Sequence, residues 1–339
     1  MIVTAIASRT LVLHDGNQFQ IKISDETPMT LNTKPQKWLW YCLFAGIKKA
    51  PEMKRLVISL LLTFAAAASW AQSWIKVNYD TGAGTPVQQV EAVFRAAEST
   101  PHGQALLILH HAGGFSFNTT QQYGEFYSKQ GFTTLELKMF NDHDGRPSPL
   151  ILHGQMMGAL KHLSQIPGVD SKKISAMGLS LGAFLTVDAA SQWFYDHYRA
   201  DELRFHKLIA MYPTCWITSA AASGNAGGIP LFNGMPTNFL EKWAHIPLLI
   251  LAGGKDSYDS EDPNACPEFV QKINDSKQAE ITSVHVYPNA THAWDHGRNY
   301  SFPVRGGCTG RTNCTNRIVY SAETVEQGKQ AVLSFLAGT

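Results

Sequence analysis

The chain has 339 residues, of which 44% are hydrophobic and 16% are charged. This composition excludes wholesale disorder and allows one large domain or two ordinary ones. The formal net charge of +1 lacks the basic excess typical of nucleic-acid-binding chains, so no nucleic-acid partner is predicted.

An apolar segment with a basic start begins at Met53, in the stretch MKRLVISLLLTFAAAASWAQ. Its apolar run, residues 56–68, is too short for a comfortable membrane span. Ser69 and Ala71 supply the small side chains expected at positions −3 and −1 of a secretory cleavage site. Residues 53–71 are therefore predicted to be a secretory signal peptide.

A signal peptide belongs at the N-terminus of a protein, yet 52 residues precede this one. We interpret residues 1–52 as an over-extended translation start that does not belong to the mature protein. The alternative is an unusual anchored N-terminus, because residues 38–47 are also apolar. The mature chain is predicted to be a single domain, residues 72–339, that begins with Gln72. It is expected to be secreted or periplasmic, with no stable membrane span.

Short apolar runs alternate with longer patterns of helical spacing along the mature chain. The predicted strands are residues 105–110, 133–139, 173–177, 207–212, 247–252 and 282–287. The predicted helices are residues 151–164, 181–194 and 323–336. Such alternation indicates an α/β fold, in which a mainly parallel sheet is covered by helices on both faces.

Polar or glycine-rich segments follow four of these strands, and ligands of parallel sheets bind at the carboxyl ends of the strands. Ser180 lies in GLSLG, a G-x-S-x-G pattern placed between a predicted strand and a predicted helix. Asp256 and His292 each follow a later strand. The chain order Ser, Asp, His and the strand–turn–helix setting of Ser180 are those of an α/β-hydrolase nucleophile elbow.

These residue types suggest a specific chemistry, because a serine hydroxyl needs a base to take its proton during attack. We predict Ser180 as the nucleophile and His292 as the base, which later protonates the leaving alcohol. Asp256 is predicted to orient His292 and to stabilise its charged form. The backbone N–H groups of Leu181 and Ala112 are predicted to form the oxyanion hole.

Neighbouring residues compete for two of these roles. His285, inside a strand pattern, and His296 are the other candidates for the base. Asp259 and Asp262 share the loop of the predicted carboxylate, but the G-x-x-D spacing from Gly253 favours Asp256 because it lies nearest the strand end.

The adjacent pair His110 and His111 follows the first predicted strand. Adjacent residues at a strand end point in opposite directions, so joint binding of a metal is not predicted. His110 is instead expected to pack beneath the loop that carries Ala112.

The mature chain contains four cysteines: Cys215, Cys266, Cys308 and Cys314. An even count in an exported chain favours two disulfides. Three pairings can form; Cys308–Cys314 is the most local, and Cys215–Cys266 would accompany it. Zinc binding is less favoured, because the chain has no C-x-x-C pair.

Taken together, these residues resemble the dienelactone hydrolase family within the α/β-hydrolases. The resemblance covers roughly residues 105–336 and is carried by ALLILHHAGGF, ISAMGLSLGAF, PLLILAGGKDSYDSEDPNAC and VHVYPNATHAWD. Typical members have H-G-x-G-G where this chain has HHAGG, and the founding enzymes use cysteine where this chain has Ser180. The serine-containing relatives are ester hydrolases of varied substrate, so the resemblance implies carboxylic-ester hydrolysis with no metal or organic cofactor.

Other functions remain open at this point: a polyester or cutinase-like hydrolase, an acyltransferase, or a non-catalytic binding protein on the same scaffold. The substrate is expected to be a small-molecule or polymeric ester. Residues 214–242 are predicted to form a cap, in which Trp216, Phe232 and Phe239 either line the site or only pack. The sequence indicates neither the acyl and alcohol parts of the substrate nor the oligomeric state.

Overall fold

The chain divides into two compact units, residues 1–63 and 64–339. The computed structural model describes residues 11–12, 18–19, 72–115, 117–141, 144–200, 202–277 and 281–338. In the first unit it describes one antiparallel pair of short strands, β1 (Leu11–Val12) and β2 (Gln18–Phe19). The predicted signal peptide and the rest of residues 1–52 lie outside the described residues.

An eight-stranded sheet forms the centre of the second unit. Its strands are β3 (Ser73–Tyr79), β4 (Gln88–Arg95), β5 (Ala105–Leu109), β6 (Thr133–Lys138), β7 (Ile174–Leu179), β8 (Leu208–Met211), β9 (Leu248–Gly253) and β10 (Thr282–Tyr287). They lie in the order β10-β9-β8-β7-β5-β6-β4-β3. The six strands from β10 to β6 run parallel, whereas β4 and β3 add an antiparallel edge. The prediction of a mainly parallel sheet is confirmed.

Helices cover both faces of this sheet. They are α1 (Phe117–Lys129), α2 (Pro149–Leu163), α3 (Leu181–Asp188), α4 (Gln192–His197), α5 (Cys215–Ala222), α6 (Ala265–Lys277) and α7 (Ala322–Ala337). Helices α1 and α7 pack into one apolar core, and the other five pack into a second core on the opposite face.

Strand β5 shows why the sequences of the central strands are apolar at every position. All five of its residues are fully buried. Leu107 and Leu109 point into the core of α2, whereas Leu106 and Ile108 point into the core of α1 and α7. Successive side chains of a strand face opposite sides of the sheet, so a sheet covered on both faces needs apolar residues at every position.

The predicted helices and strands agree with the observed ones to within two residues, with one exception. The continuous helix predicted at residues 181–194 is wrong, because α3 ends at Asp188 and α4 begins at Gln192. The hydroxyl of Ser191 accepts a 3.3 Å hydrogen bond from the N–H of Phe194 and so caps α4. The apolar periodicity of the sequence continues across this cap, so periodicity alone does not indicate that the helix ends and a new one begins.

A second hairpin, absent from the sequence prediction, follows the main sheet. It consists of β11 (Tyr300–Cys308) and β12 (Thr312–Ile318), joined by a 3-10 turn at Thr309–Arg311. Most of its side chains are exposed, so its sequence lacks the apolar alternation by which strands are recognised.

Within the described part of the chain, no helix combines the length and the apolar character that crossing a membrane requires.

Candidate active site

Ser180 lies at the sharp turn between β7 and α3. Its backbone has φ 51° and ψ −104°, a region that side-chain-bearing residues rarely adopt. Its N–H donates a 3.0 Å hydrogen bond to the carbonyl of Met211 on β8, which anchors the turn to the sheet. Strained backbone held in this way is typical of functional residues.

Close backbone approach explains the two glycines that flank this turn. A Cβ at Gly178 would overlap the carbonyl of Gly182, because helix α3 folds directly back over the strand. A Cβ at Gly182 would lie 2.5 Å from the carbonyl oxygen of Leu109 on β5. The G-x-S-x-G pattern is therefore a steric requirement of the turn, as expected for a nucleophile elbow.

Three residues predicted to act together form one hydrogen-bonded chain. Ser180 Oγ lies 2.8 Å from His292 Nε2, and His292 Nδ1 lies 2.7 Å from Asp256 Oδ2. Asp256 and His292 are 3% and 4% exposed. A carboxylate only accepts hydrogen bonds, so Nδ1 carries the proton and Nε2 accepts from the serine hydroxyl.

The carboxylate of Asp256 is fixed on its other side as well. Its Oδ1 accepts a 2.9 Å hydrogen bond from the N–H of Tyr258, at the start of the 3-10 turn Ser257–Asp259. The rings of Tyr258 and Tyr212 pack edge-on against His292, at centroid distances of 4.6 and 5.1 Å. These contacts restrict the imidazole to one orientation.

The competing residues identified from the sequence make other contacts. His285 is exposed on β10, and His296 Nδ1 hydrogen-bonds the hydroxyl of Tyr300 at 2.7 Å. Asp262 is exposed, whereas the buried carboxylate of Asp259 faces helix α5. Within the described chain, then, only His292 and Asp256 complete the hydrogen-bonded chain from Ser180.

The predicted oxyanion donors lie beside Ser180. Ala112 and Leu181 line the same cavity as the serine. Leu181 is the first residue of α3, where a backbone N–H has no partner within the helix. Among the described residues, no hydrogen bond uses the N–H of Ala112 or of Leu181. Both donors are thus available to a ligand.

The two histidines that precede Ala112 hold its loop in place. His110 is fully buried, and its Nε2 accepts a 3.1 Å hydrogen bond from the N–H of Met139. Its Nδ1 must therefore carry the proton and donate to the carbonyl of His111, at 2.8 Å. His111 Nδ1 accepts a 2.9 Å hydrogen bond from the N–H of Gly113. Burial lowers the pKa of His110 to about 3, so the ring is neutral.

A cavity of about 340 Å³ lies next to Ser180, a volume typical of small-ligand sites. It is lined by Ala112, Arg146, Ser180, Leu181, Phe184, Thr214, Trp216, Ile217, Gly228, Ile229, Pro230, Leu231, Tyr258, Arg305, Gly306, Gly307 and Arg311. Two of its walls are the segment 214–231 and the hairpin β11–β12. Trp216 lines this cavity, whereas Phe232 and Phe239 are buried and pack together with ring centroids 5.2 Å apart.

Helix α5, which carries Trp216, is attached to the rest of the site in two ways. A disulfide joins Cys215 to Cys266 on α6. The carboxylate of Asp259 accepts 2.8 Å hydrogen bonds from the N–H groups of Cys215 and Trp216, at the start of the helix. Burial, with the nearby charge of Asp256, raises the pKa of Asp259 to about 7. The second disulfide, Cys308–Cys314, closes the tip of the hairpin.

Cys215, Cys266 and Asp259 also form the one group of potential metal ligands among the described residues. Both sulfurs belong to the disulfide, and both carboxylate oxygens of Asp259 accept backbone N–H groups. This donor set does not suit a metal ion, because a metal requires thiolates with free lone pairs.

Asp295 and its two tyrosine partners were not predicted from the sequence. The buried carboxylate of Asp295 accepts hydrogen bonds from the hydroxyls of Tyr212, at 2.8 Å, and Tyr123, at 2.9 Å. Asp295 lies three residues after His292 in the stretch HAWD, the most specific stretch of the family resemblance. The resemblance therefore draws attention to Asp295, but only the folded structure shows that it binds Tyr123 and Tyr212.

No family model matches the chain. The Escherichia coli K12 protein YcjY, which is uncharacterized, is 27% identical over 126 residues. That match covers 34% of this chain and 41% of YcjY, so the chain spans about two fifths of this relative.

Solved structures show the same architecture at low sequence identity. A Klebsiella pneumoniae protein assigned to the dienelactone hydrolases superposes with a TM-score of 0.52 at 14% identity, covering 79% of this chain and all of that one. Esterase 2 of Thermogutta terrifontis, phosphoramylated by tabun, also superposes with a TM-score of 0.52, at 11% identity. The match covers 74% of this chain and 89% of that one. The chain therefore has the α/β-hydrolase fold, as predicted.

Proposed function

We propose that this protein is an exported serine hydrolase that cleaves carboxylic esters through an acyl-enzyme intermediate. The observation that carries this proposal is the hydrogen-bonded chain Ser180–His292–Asp256 at the edge of a cavity. The strained backbone of Ser180 also supports the proposal. Proteins tolerate such strain mainly at functional sites, and here it holds the serine hydroxyl at the tip of a sharp turn.

Acylation begins when Ser180 Oγ attacks the carbonyl carbon of the ester while His292 Nε2 takes the hydroxyl proton. The carbonyl oxygen becomes an oxyanion, and the N–H groups of Ala112 and Leu181 stabilise it. The tetrahedral intermediate then breaks its bond to the alkoxy oxygen. His292 gives its proton to that oxygen, so an alcohol leaves and the acyl group stays on Ser180.

Deacylation repeats these steps with water. His292 Nε2 takes a proton from water as the water oxygen attacks the acyl carbon, and Ser180 leaves with that proton. The product is a carboxylic acid. Asp256 accepts the hydrogen bond from His292 Nδ1 and stabilises the imidazolium that forms in each half-reaction. None of these steps requires a metal or an organic cofactor.

Export is supported by the predicted signal peptide, residues 53–71, and by the two disulfides, since disulfides persist in oxidising compartments. The proposal predicts that the exported protein begins with Gln72. Mass spectrometry of protein recovered from outside the cytoplasm tests this; an N-terminus upstream of Met53 would contradict it.

Turnover of aryl esters graded in acyl length tests the reaction itself. Ser180→Ala should lower kcat by at least about a thousandfold. Ser283→Ala, which changes an exposed serine on β10 that does not line the cavity, should leave kcat unchanged. An unfolding midpoint for Ser180→Ala equal to that of the native protein excludes misfolding. Retained turnover in folded Ser180→Ala would end the assignment of the nucleophile.

Two further measurements separate the alternatives. An active-site phosphonate should label Ser180; a folded protein that is not labelled would instead favour a binding function. Added acceptor alcohols should divert little of the acyl group from water, whereas an acyltransferase would convert most of it to a new ester.

A further inference from the structure

The buried carboxylate of Asp259 takes no part in the proposed reaction steps, yet it lies on the same short segment as Asp256. The 3-10 turn Ser257–Asp259 follows Asp256 directly, and the N–H of Asp259 donates a 3.2 Å hydrogen bond to the carbonyl of Asp256. Asp256 faces His292, whereas Asp259 faces helix α5. One turn therefore carries a carboxylate toward the candidate base and another toward a wall of the cavity.

Strained backbone follows this turn. Ser260 and Glu261 have φ values of 59° and 56°, in the left-handed region that residues other than glycine rarely adopt. The N–H of Glu261 donates a 2.8 Å hydrogen bond to the carbonyl of Asp256, which closes the segment on itself. Such strain persists only where the surrounding structure determines the backbone fully, and it is common at functional sites. The backbone therefore fixes the positions of the two carboxylates relative to each other.

Helix α5 is capped by this distant carboxylate. Thr214 occupies the N-cap position, where a threonine hydroxyl commonly accepts a backbone N–H, but its side chain makes no cap hydrogen bond. Instead, Asp259 Oδ2 accepts a 2.8 Å hydrogen bond from the N–H of Cys215, and Oδ1 accepts one of 2.8 Å from the N–H of Trp216. The partial positive charge of a helix N-terminus favours a carboxylate at this place. The start of α5 is thus fixed by a residue 43 positions after Trp216.

The start of α5 is also the part of the helix that meets the cavity. Thr214, Trp216 and Ile217 all line the cavity next to Ser180. Trp216 Nε1 donates a 3.2 Å hydrogen bond to the carbonyl of Gly307, so its indole connects two walls of the cavity. Movement of the first turn of α5 would therefore change the shape of the space in which a substrate binds.

The disulfide Cys215–Cys266 restrains the same helix in a different way. It joins α5 to α6, and not to the turn that carries Asp256. Among the hydrogen bonds of the described residues, the two accepted by Asp259 are the only ones that join α5 directly to that turn. Loss of this carboxylate would leave the helix attached to the protein, but its position relative to Ser180 and His292 would no longer be fixed.

We propose that Asp259 is a positioning residue that determines which esters fit the cavity. It holds Trp216 in place by joining the wall of the cavity to the turn that also orients His292. Asp259 neither lines the cavity nor hydrogen-bonds His292, so it acts through Trp216 and not on the substrate itself. This inference rests on the proposed function, because it concerns the fit of the ester in the same site.

Two pairs of esters test the fit without assuming which part of the substrate enters the cavity. For the acyl side, 4-nitrophenyl hexanoate is compared with 4-nitrophenyl acetate; for the alcohol side, benzyl acetate is compared with methyl acetate. The ratio of kcat/KM for the larger ester to that for the smaller one defines the size preference, which does not depend on the fraction of active protein. Assays at about pH 8 keep Asp259 ionised, because burial raises its pKa only to about 7.

Replacement of Asp259 should lower the size preference. In at least one pair, Asp259→Ala should lower it by about tenfold or more, because a small misplacement of a cavity wall weakens the binding of a substituent that fills the cavity. Asp259→Asn keeps one acceptor oxygen and should lower the size preference by less. The loss should appear mainly as a higher KM for the larger ester, while kcat for the smaller ester changes by less than about twofold.

Two control variants separate positioning from general effects on stability and charge. Ser191→Ala removes the hydroxyl that caps α4, a helix that does not line the cavity. Asp262→Asn removes an exposed carboxylate of the same loop. Both should keep the native size preference, even where Ser191→Ala lowers the midpoint of urea unfolding.

The outcomes distinguish this inference from the proposed function. An unchanged size preference in both pairs, in a folded Asp259→Asn that hydrolyses esters, would overturn the role of Asp259 and leave ester hydrolysis standing. Equal losses of kcat on the larger and the smaller ester would also overturn it, because they would place the effect on His292. A native protein that hydrolyses none of these esters would instead overturn the proposed function, and this inference with it.

Discussion

The hydroxyl of Tyr212 donates a 2.8 Å hydrogen bond to Asp295, and the ring of the same tyrosine packs against His292 at a centroid distance of 5.1 Å. Tyr212 itself has a strained backbone, with φ 42°. Its side chain thus links the loop of the candidate base to the end of strand β8. The hydrogen bond fixes the ring that in turn limits the motion of His292.

Removal of the Tyr212 hydroxyl should therefore affect catalysis as well as stability. Tyr212→Phe leaves one oxygen of the buried Asp295 without a partner, which typically costs about 1–3 kcal/mol. Misplacement of His292 should lower kcat by roughly tenfold, with little change in KM. The measurements are steady-state kinetics with an aryl acetate and urea unfolding.

Tyr123→Phe is the matched control, because Tyr123 donates to the other oxygen of Asp295. It should lower the free energy of unfolding by a similar amount but leave kcat nearly unchanged. Equal losses of kcat in the two variants would assign Tyr212 a purely structural role.

The N–H of Ala112 offers a direct test of the proposed oxyanion hole. Ala112→Pro removes this donor, and loss of one such donor typically lowers kcat by about a hundredfold or more. Ala112→Gly keeps the N–H and should retain most of the activity. Turnover of aryl acetates measures both, with circular dichroism to verify folding. Comparable activity of the folded proline and glycine variants would exclude Ala112 as a donor.

The sequence predicts the sheet and the sharp turn at Ser180 because both follow from local rules. Apolar residues at every position of β5 and two glycines around Ser180 leave few other structures for those segments. By contrast, the hairpin β11–β12 has mostly exposed side chains, so periodicity gives no signal for it. The sequence alone therefore does not indicate that this hairpin places Arg305 and Arg311 at the cavity.

Around His292, too, some residues can be placed from the sequence and others cannot. Asp256 and His292 follow strands whose carboxyl ends meet, so topology alone brings them to Ser180. Asp295 binds two tyrosines that precede it by 172 and 83 residues. Pairings over such separations depend on the packing of complete helices and strands, which spacing in the sequence does not encode.

Acid should destabilise the folded protein through its buried histidines. Burial lowers the pKa of His110 to about 3, whereas a histidine in the unfolded chain titrates near 6.5. Between these values the unfolded chain binds a proton that the folded protein does not. The stabilisation is therefore complete above about pH 6.5 and is lost as the pH falls toward 3. Burial acts in the same direction on His111 and His296, with pKa values of about 3 and 4.

Urea unfolding of the native protein at about pH 7.5 and about pH 5 measures this effect. His110→Gln should show a smaller loss of stability between the two pH values. His285→Gln, which alters an exposed histidine on β10, should show the native dependence. An unchanged pH dependence in His110→Gln would contradict the neutral, buried state of that ring.

The two disulfides should contribute unequally to stability. A cross-link restricts the unfolded chain more when it closes a longer loop, and Cys215 and Cys266 are separated by 51 residues, against 6 for Cys308 and Cys314. Replacement of both cysteines of the long loop by serine should cost about 4 kcal/mol, and the corresponding change in the hairpin about 2 kcal/mol. Urea unfolding of the two variants measures both losses; a larger loss of stability from the hairpin disulfide would contradict the loop-length account.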